Sequence, residues 1–269
     1  MLNEEKTQGD EYPVKVAMIQ MDIAWESKKA NFVKARKFVK KASGEKCDIV
    51  VFPEMFNTGF SMNVTALAEE EDGETSVLLP GLARENGVNL IAGLAMKRAG
   101  DSKARNCALA FDRSGRLLAT YSKQYPFTFA GEDRHYAAGT DTVLFNVDGM
   151  PSSVFICYDL RFPEVFRSVA RDVHSIFVIA NWPFARIDHW ETLLRARAIE
   201  NQCFVIGVNR TGSDGNGITY PGASHIYDPL GKDISPVRVQ DEFLTVEFDP
   251  REVMIVREKF PFLNDMRVR

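Results

Sequence analysis

The sequence predicts an α/β fold in which two packed β-sheets lie between outer helices, a four-layer α-β-β-α sandwich. Three observations carry this expectation. Apolar runs of strand length alternate with segments of helical period along the whole 269-residue chain, the pattern of βα units around a buried sheet. The runs are too many for one modest open sheet, so two sheets facing each other bury them better. No low-complexity linker divides the chain, because GSDGNG at 212–217 is a turn-rich loop too short to separate domains.

Taken in order, strands are predicted at 14–20, 48–52, 88–95, 106–112 and 116–121, then at 142–147, 152–157, 175–179, 204–209, 224–227 and 243–247. Each is a short apolar run bounded by polar or turn residues. A helix is predicted at 28–42, where Ala30, Phe32, Val33, Ala35, Phe38 and Val39 form an apolar stripe. Others follow at 75–85, 163–172 and 188–201, with Pro163 suited to a first turn whose N–H would have no partner. Residues 1–12 read as a flexible tail ahead of a single domain over 13–269. The runs 48–53 and 175–183 both end at a proline. That echo hints at duplicated halves, although many α/β chains would show as much.

Composition excludes several classes. Hydrophobic residues make up 45% and charged residues 26%, which is ordinary globular usage. The net charge of -4 is spread along the chain, so no basic face is offered to nucleic acid. Acidic residues within the first ten positions do not fit a secretory signal, and no apolar run nears the roughly 18 to 20 residues a bilayer demands. A cytoplasmic protein with no membrane partner is expected. Cys47, Cys107, Cys157 and Cys203 are far apart and form no CxxC pair, and the four histidines form no helix-face pair. Neither a disulfide framework, nor a metal site, nor a cofactor is indicated.

Glu54, Lys123 and Cys157 each follow or close a predicted strand. Ligands of open α/β folds bind beyond the carboxyl ends of strands, so these residues are candidates to converge. Cys157 stands where a strand turns toward the helix expected at Pro163, a turn that can present a nucleophile beside inward-facing N–H groups. The alternative is a small buried hydrophobe, the commonest fate of a free cysteine. No histidine stands at a strand end, so Glu54 is the candidate proton acceptor, with Lys123 as the cation facing a thiolate or an oxyanion. Taken singly, Glu54 reads more readily as a helix-start or salt-bridge residue, and Lys123 as a surface lysine.

At these residues the sequence resembles the nitrilase, or carbon–nitrogen hydrolase, superfamily and its Glu-Lys-Cys triad. The matching strings are FPEM at 52–55, YSKQ at 121–124, ICYDLRFPE at 156–164, ANWP at 180–183, ARAIENQ at 196–202 and DPLG at 228–231. Each is weak alone, but their order across almost the whole chain is specific. The resemblance implies Glu54 as general base, Lys123 as oxyanion-stabilising cation and Cys157 as nucleophile. It further implies Glu132 as a second glutamate supporting Lys123, and the Tyr158 backbone N–H as an oxyanion donor. It also implies the nitrilase-type sandwich, commonly paired into a homodimer.

One departure is Tyr125, where many relatives carry histidine two residues after the lysine; this is expected to alter the pocket wall. The loop KQYPFTFAGE at 123–132, followed by YAAG at 136–139, looks closest to the omega-amidase branch, which hydrolyses the terminal amide of 2-oxoglutaramate or 2-oxosuccinamate. Arg161 matches an arginine that holds a substrate carboxylate in carbamoyl-amino-acid hydrolases; its alternative is a structural pair with Glu164. Trp182 and Phe127 either line the pocket or pack in the core. The expected reaction is a two-step acyl transfer on a small amide through a Cys157 thioester. Rival readings are another amidase of the superfamily (N-carbamoyl, aliphatic or deaminated-glutathione) and a non-catalytic binding protein on this fold.

Overall fold

Short apolar runs separated by polar turns set the order of elements. The first half runs β1 (Val14–Ile19), α1 (Lys28–Gly44), β2 (Ile49–Val51), α2 (Val64–Leu67), α3 (Glu74–Asn86), β3 (Asn89–Met96), β4 (Arg105–Phe111), β5 (Leu117–Ser122) and α4 (Glu132–His135). The second runs β6 (Phe145–Val147), β7 (Met150–Ile156), α5 (Pro163–Arg167), β8 (Ser175–Ala180), α6 (Ile187–Asn201) and β9 (Phe204–Asn209). It closes with β10 (Thr211–Ser213), β11 (Thr219–Pro221), β12 (His225–Tyr227), β13 (Phe243–Phe248) and α7 (Glu252–Lys259). This computed structural model describes residues 13–236 and 242–267, so the tail expected at 1–12 lies outside the described residues.

The strands form a six-stranded sheet in the order β13-β1-β2-β3-β4-β5 and a five-stranded sheet in the order β12-β9-β8-β7-β6. Each has a parallel centre, β1-β2-β3 in one and β7-β8-β9 in the other, flanked by antiparallel strands. Parallel strands need both faces covered, and the period-two alternation shows how. Val16, Met18, Ile49, Val51 and Ile91 point into the core shared with the second sheet, whereas Ala17, Ile19, Val50, Leu90 and Ala92 point the other way. That outer face packs on Ala35 and Val39 of α1 and on Leu78, Leu79 and Leu82 of α3. The second sheet is covered by Trp190, Leu194 and Ala198 of α6 and by Val165 and Phe166 of α5. The layers are therefore α-β-β-α, as the sequence predicts.

Differences from expectation have local causes. The helix expected over 163–172 stops at Arg167, beyond which Asp172 N–H bonds Val169 O in a three-residue turn. The strand expected from 142 begins at Phe145. The loop at 212–217 is the tip of a hairpin, with Gly212 paired to Tyr220. The helix α7 has no counterpart among the expected elements, because Val253 is its single buried residue and leaves no apolar stripe to read. Among the described residues, no helix is long and apolar enough to cross a membrane.

Candidate active site

The loops after β2 and β5 leave the first sheet and converge on one buried cluster. Glu54 lies just past β2, Lys123 directly follows β5, and Glu132 opens α4. Lys123 is 1% exposed and both glutamates are 0% exposed, a burial that charged groups tolerate only when paired. Lys123 Nζ donates to Glu54 Oε1 and to Glu132 Oε2, each at 2.9 Å. Asn106, at the start of β4, ties the two carboxylates together: its Nδ2 donates to Glu54 Oε1 at 2.7 Å and to Glu132 Oε1 at 2.9 Å. The Phe127 N–H donates to Glu132 Oε2 at 2.5 Å.

The second sheet closes the cluster. Asn181, immediately after β8, donates its backbone N–H to Glu54 Oε2 at 2.9 Å and its side-chain amide to the Glu54 carbonyl at 2.7 Å. Thus β2 and β8, the strands of the two runs that echo each other in sequence, deliver Glu54 and Asn181 to one another between the sheets. Behind Glu54 the chain passes at Gly93, where a Cβ would lie 2.7 Å from Glu54 Cα and 2.8 Å from Met55 N. Glycine is what permits that approach.

Cys157 directly follows β7 in the left-handed region, with φ at 46°, a conformation that costs a non-glycine residue energy and marks a turn held by its surroundings. Asp159 holds it. Its carboxylate accepts from Ile156 N–H at 3.0 Å, Tyr121 OH at 2.8 Å and Tyr125 N–H at 2.9 Å, tying the cysteine turn to the chain after Lys123. Cys47, Cys107 and Cys203 are buried, whereas Cys157 is partly exposed. Its Sγ lies 4.0 Å from the Asn181 carbonyl oxygen, so Asn181 is a shared neighbour of the thiol and of Glu54.

The charges set protonation states. Burial opposes ionisation of Glu54, but the Lys123 ammonium and the hydrogen bonds from Lys123, Asn106 and Asn181 outweigh it and hold the carboxyl below its usual range. Burial likewise opposes the Lys123 charge; Glu132 and then Glu54 outweigh it and raise the ammonium well above its usual value. Burial and the Glu54 charge push the Cys157 thiol well up, against the pull of Lys123. The resting site is therefore a neutral thiol beside an ionised glutamate and a permanent cation, so a proton acceptor stands ready when the sulfur attacks. Burial carries Asp159 up to about 6 despite Lys123 and three donors.

Glu54 and Cys157 open on a cavity of about 520 Å³, bordered also by Phe127, Tyr158, Arg161 and Trp182. Phe127 and Trp182 thus take the lining place rather than a purely core one, although Trp182 is 2% exposed and donates Nε1 to the Arg186 carbonyl at 2.7 Å. Arg161 does not pair with Glu164; its Nη2 lies 3.2 Å from His189 Nδ1, and its guanidinium stands 4.9 Å over the Trp182 ring. Tyr125 is not among the residues bordering the cavity. Its ring stacks on Phe162 at 3.7 Å and its hydroxyl donates to Glu164 at 3.3 Å. These contacts with Phe162 and Glu164 hold the side chain off the pocket wall expected for it. Among the described residues, no group of three His, Cys, Asp or Glu side chains is placed to hold a metal ion.

Comparison with known proteins gives the family and the fold. The family model described as carbon-nitrogen hydrolase matches residues 15–257. The chain belongs to the carbon–nitrogen hydrolase family. It is accordingly a hydrolase acting on carbon–nitrogen bonds of amides. The chain is 35% identical to a 2-oxoglutaramate amidase of Bacillus subtilis over 94% of this chain and 97% of that protein. It is 33% identical to the omega-amidase YafV of Escherichia coli K12 over 94% and 96% respectively. A crystal structure of a carbon–nitrogen hydrolase from Xanthomonas campestris, bearing an arsenic adduct in its active site, superposes with a TM-score of 0.90 at 32% identity, covering 96% of this chain and 98% of that one.

Within this carbon–nitrogen hydrolase, sequence reasoning named Glu54, Lys123, Glu132 and Cys157 but missed Asn106, Asn181, Asp159 and the cavity residue Arg186. A signal was present for Asn181, which follows an unbroken apolar strand as Glu54 does. Asn106 gave none, because an asparagine at a strand start reads as a boundary residue.

Proposed function

We propose that the chain is an omega-amidase, hydrolysing the terminal amide of 2-oxoglutaramate or 2-oxosuccinamate to the 2-oxo acid and ammonia. The observation that carries the chemistry is the Lys123 ammonium held between Glu54 and Glu132 beside a cavity-facing Cys157. The names of its relatives and an arginine at the cavity wall favour an acidic substrate.

In the first step Cys157 Sγ attacks the amide carbonyl carbon while Glu54 accepts the thiol proton. Lys123 and the Tyr158 backbone N–H stabilise the oxyanion. Glu54 returns the proton to the nitrogen, the C–N bond breaks and ammonia leaves a thioester. Glu54 then takes a proton from water, hydroxide adds to the thioester, and C–S cleavage releases the acid while the thiol regains its proton. Two moderate barriers replace one high one. Glu132 keeps Lys123 charged and aimed; Arg161 pairs with the carboxylate at the far end of the substrate.

The same reading makes residues 13–269 one working unit in a cytoplasmic homodimer or larger homo-oligomer, for which the exposed Phe184, Ile199 and Leu230 offer apolar contact. The test is ammonia release from a panel of 2-oxo acid amides, N-carbamoyl amino acids, aliphatic amides and deaminated glutathione. The highest kcat/KM is expected on 2-oxoglutaramate or 2-oxosuccinamate; a clear preference for any other class overturns the substrate reading.

A further inference from the structure

The cavity holds carboxylates and guanidiniums, and they differ in how far the protein already satisfies them. Glu26 accepts from Ser61 Oγ at 2.5 Å and from Asn63 Nδ2 at 3.3 Å. Asp214 accepts from Tyr220 OH at 2.9 Å and from the N–H groups of Asn216 at 2.8 Å and Ile218 at 3.0 Å. Among the described residues, Arg161 has only the His189 ring nitrogen as a hydrogen-bond partner. The side chain of Arg186, which also borders the cavity, has neither an ion pair nor a hydrogen bond among the described residues.

Both arginines lie against one aromatic wall. The Arg186 guanidinium stands 5.5 Å over Phe127, and the Arg161 guanidinium 5.9 Å over Tyr158. The Phe127 and Tyr158 rings are themselves 4.9 Å apart. Stacking on a ring holds a guanidinium in place and leaves its N–H edge free for a planar acceptor. Among the described residues, neither of the two guanidiniums on the wall next to the nucleophile forms an ion pair with a protein carboxylate.

We infer that Arg186 is a specificity-determining residue: with Arg161 it holds the carboxylate and adjacent 2-oxo oxygen at the far end of the substrate and disfavours α-amino acid amides. This rests on the omega-amidase reading and adds to it the group that tells a 2-oxo acid from an amino acid. A 2-oxo acid presents one negative charge and a neighbouring carbonyl acceptor to two guanidiniums. Glutamine presents the same carboxylate but places an ammonium beside it, and like charges brought together discriminate against the wrong ligand.

The experiment uses four five-carbon ω-amides, namely 2-oxoglutaramate, glutaramate, L-glutamine and pentanamide. Each is titrated calorimetrically into the Cys157→Ala protein and into the same protein carrying Arg186→Gln or Arg186→Lys. Arg186→Gln is expected to weaken both anions by about ten- to a hundredfold, to leave pentanamide unchanged, and to narrow the gap between 2-oxoglutaramate and glutamine. Arg186→Lys keeps the charge, so it should retain the bias against glutamine while binding the anions less well. No measurable binding of either anion, equal losses for pentanamide, or an unchanged gap overturns the inference. Turnover of 2-oxoglutaramate by the native enzyme is measured alongside. Its absence, with the expected binding pattern intact, would overturn the omega-amidase reading and still support Arg186 as the anion-selecting residue.

Discussion

Replacing Glu132 by glutamine changes one atom and tests whether the second carboxylate works through Lys123. In the native cluster Glu132 Oε2 accepts from both Lys123 Nζ and Phe127 N–H, and Oε1 accepts from Asn106 Nδ2. All three partners are donors, so the introduced amide must turn its NH2 toward at least one of them. The milder orientation keeps the oxygen on Lys123 and Phe127 and sets the NH2 against Asn106, forfeiting one hydrogen bond to a charged acceptor, worth about 1.5–3 kcal/mol. Lys123 also loses the largest influence raising its pKa and is left with Glu54 alone, which makes Glu54 a weaker base. Together these amount to about 3 kcal/mol of transition-state stabilisation, or roughly a hundredfold in kcat/KM. The assay is steady-state ammonia release with urea denaturation of the same preparations, and Glu132→Asp serves as a charge-retaining control. Activity within about twofold of native, or a loss matched by the fraction unfolded, would refute the reasoning.

Other perturbations have equally definite outcomes. Arg161→Lys should lower kcat/KM about ten- to a hundredfold on a monoamide that bears a far carboxylate and little on a neutral amide; equal losses would make Arg161 a brace. Gly93→Ala forces a Cβ into Glu54 Cα and should cost about 1–3 kcal/mol of stability with a further loss of turnover per folded molecule; native stability by thermal denaturation would contradict the close approach. The folded pKa of Asp159, about 6, lies above the ordinary 3.8, so the native state binds its proton the more tightly. This group therefore adds stability as pH falls from about 6 to about 4 and withdraws it as pH rises again, by about 3 kcal/mol at about 1.36 kcal/mol per pH unit. The stability of the native protein minus that of Asp159→Asn should grow by an amount of that order over this range; a difference flat with pH would sink the assignment.

The parallel strands β7, β8 and β9 were legible to within about two residues at each end because they are buried on both faces and each carries a short apolar run, Val154–Ile156, Ile176–Ala180 and Phe204–Ile206. The helix α7 was not, since its docking relies on Arg257 reaching the carbonyls of Ala170 and Val173 rather than on an apolar stripe. Glu54, Lys123 and Cys157 were legible as polar residues at strand ends, and family motifs joined them. Asp159 was illegible as a positioning group: its three donors come from Tyr121, Tyr125 and Ile156, two of them more than thirty positions away, and only folding assembles them. Tyr125 fell on the wrong side because proximity in sequence to Lys123 does not fix direction once a strand has ended.

The central claim is that Cys157 carries the acyl group and Glu54 moves its proton. Glu54→Gln keeps the size of the side chain but removes the base that both steps require, so deacylation should lag behind any residual acylation. The direct measurement is intact-mass and peptide mass spectrometry of this variant after incubation with 2-oxoglutaramate or 2-oxosuccinamate and acid quenching. The expected result is a mass gain equal to the substrate less ammonia, confined to the peptide bearing Cys157 and abolished in Glu54→Gln/Cys157→Ala. An adduct on another residue, or native turnover in Cys157→Ala alone, would contradict it.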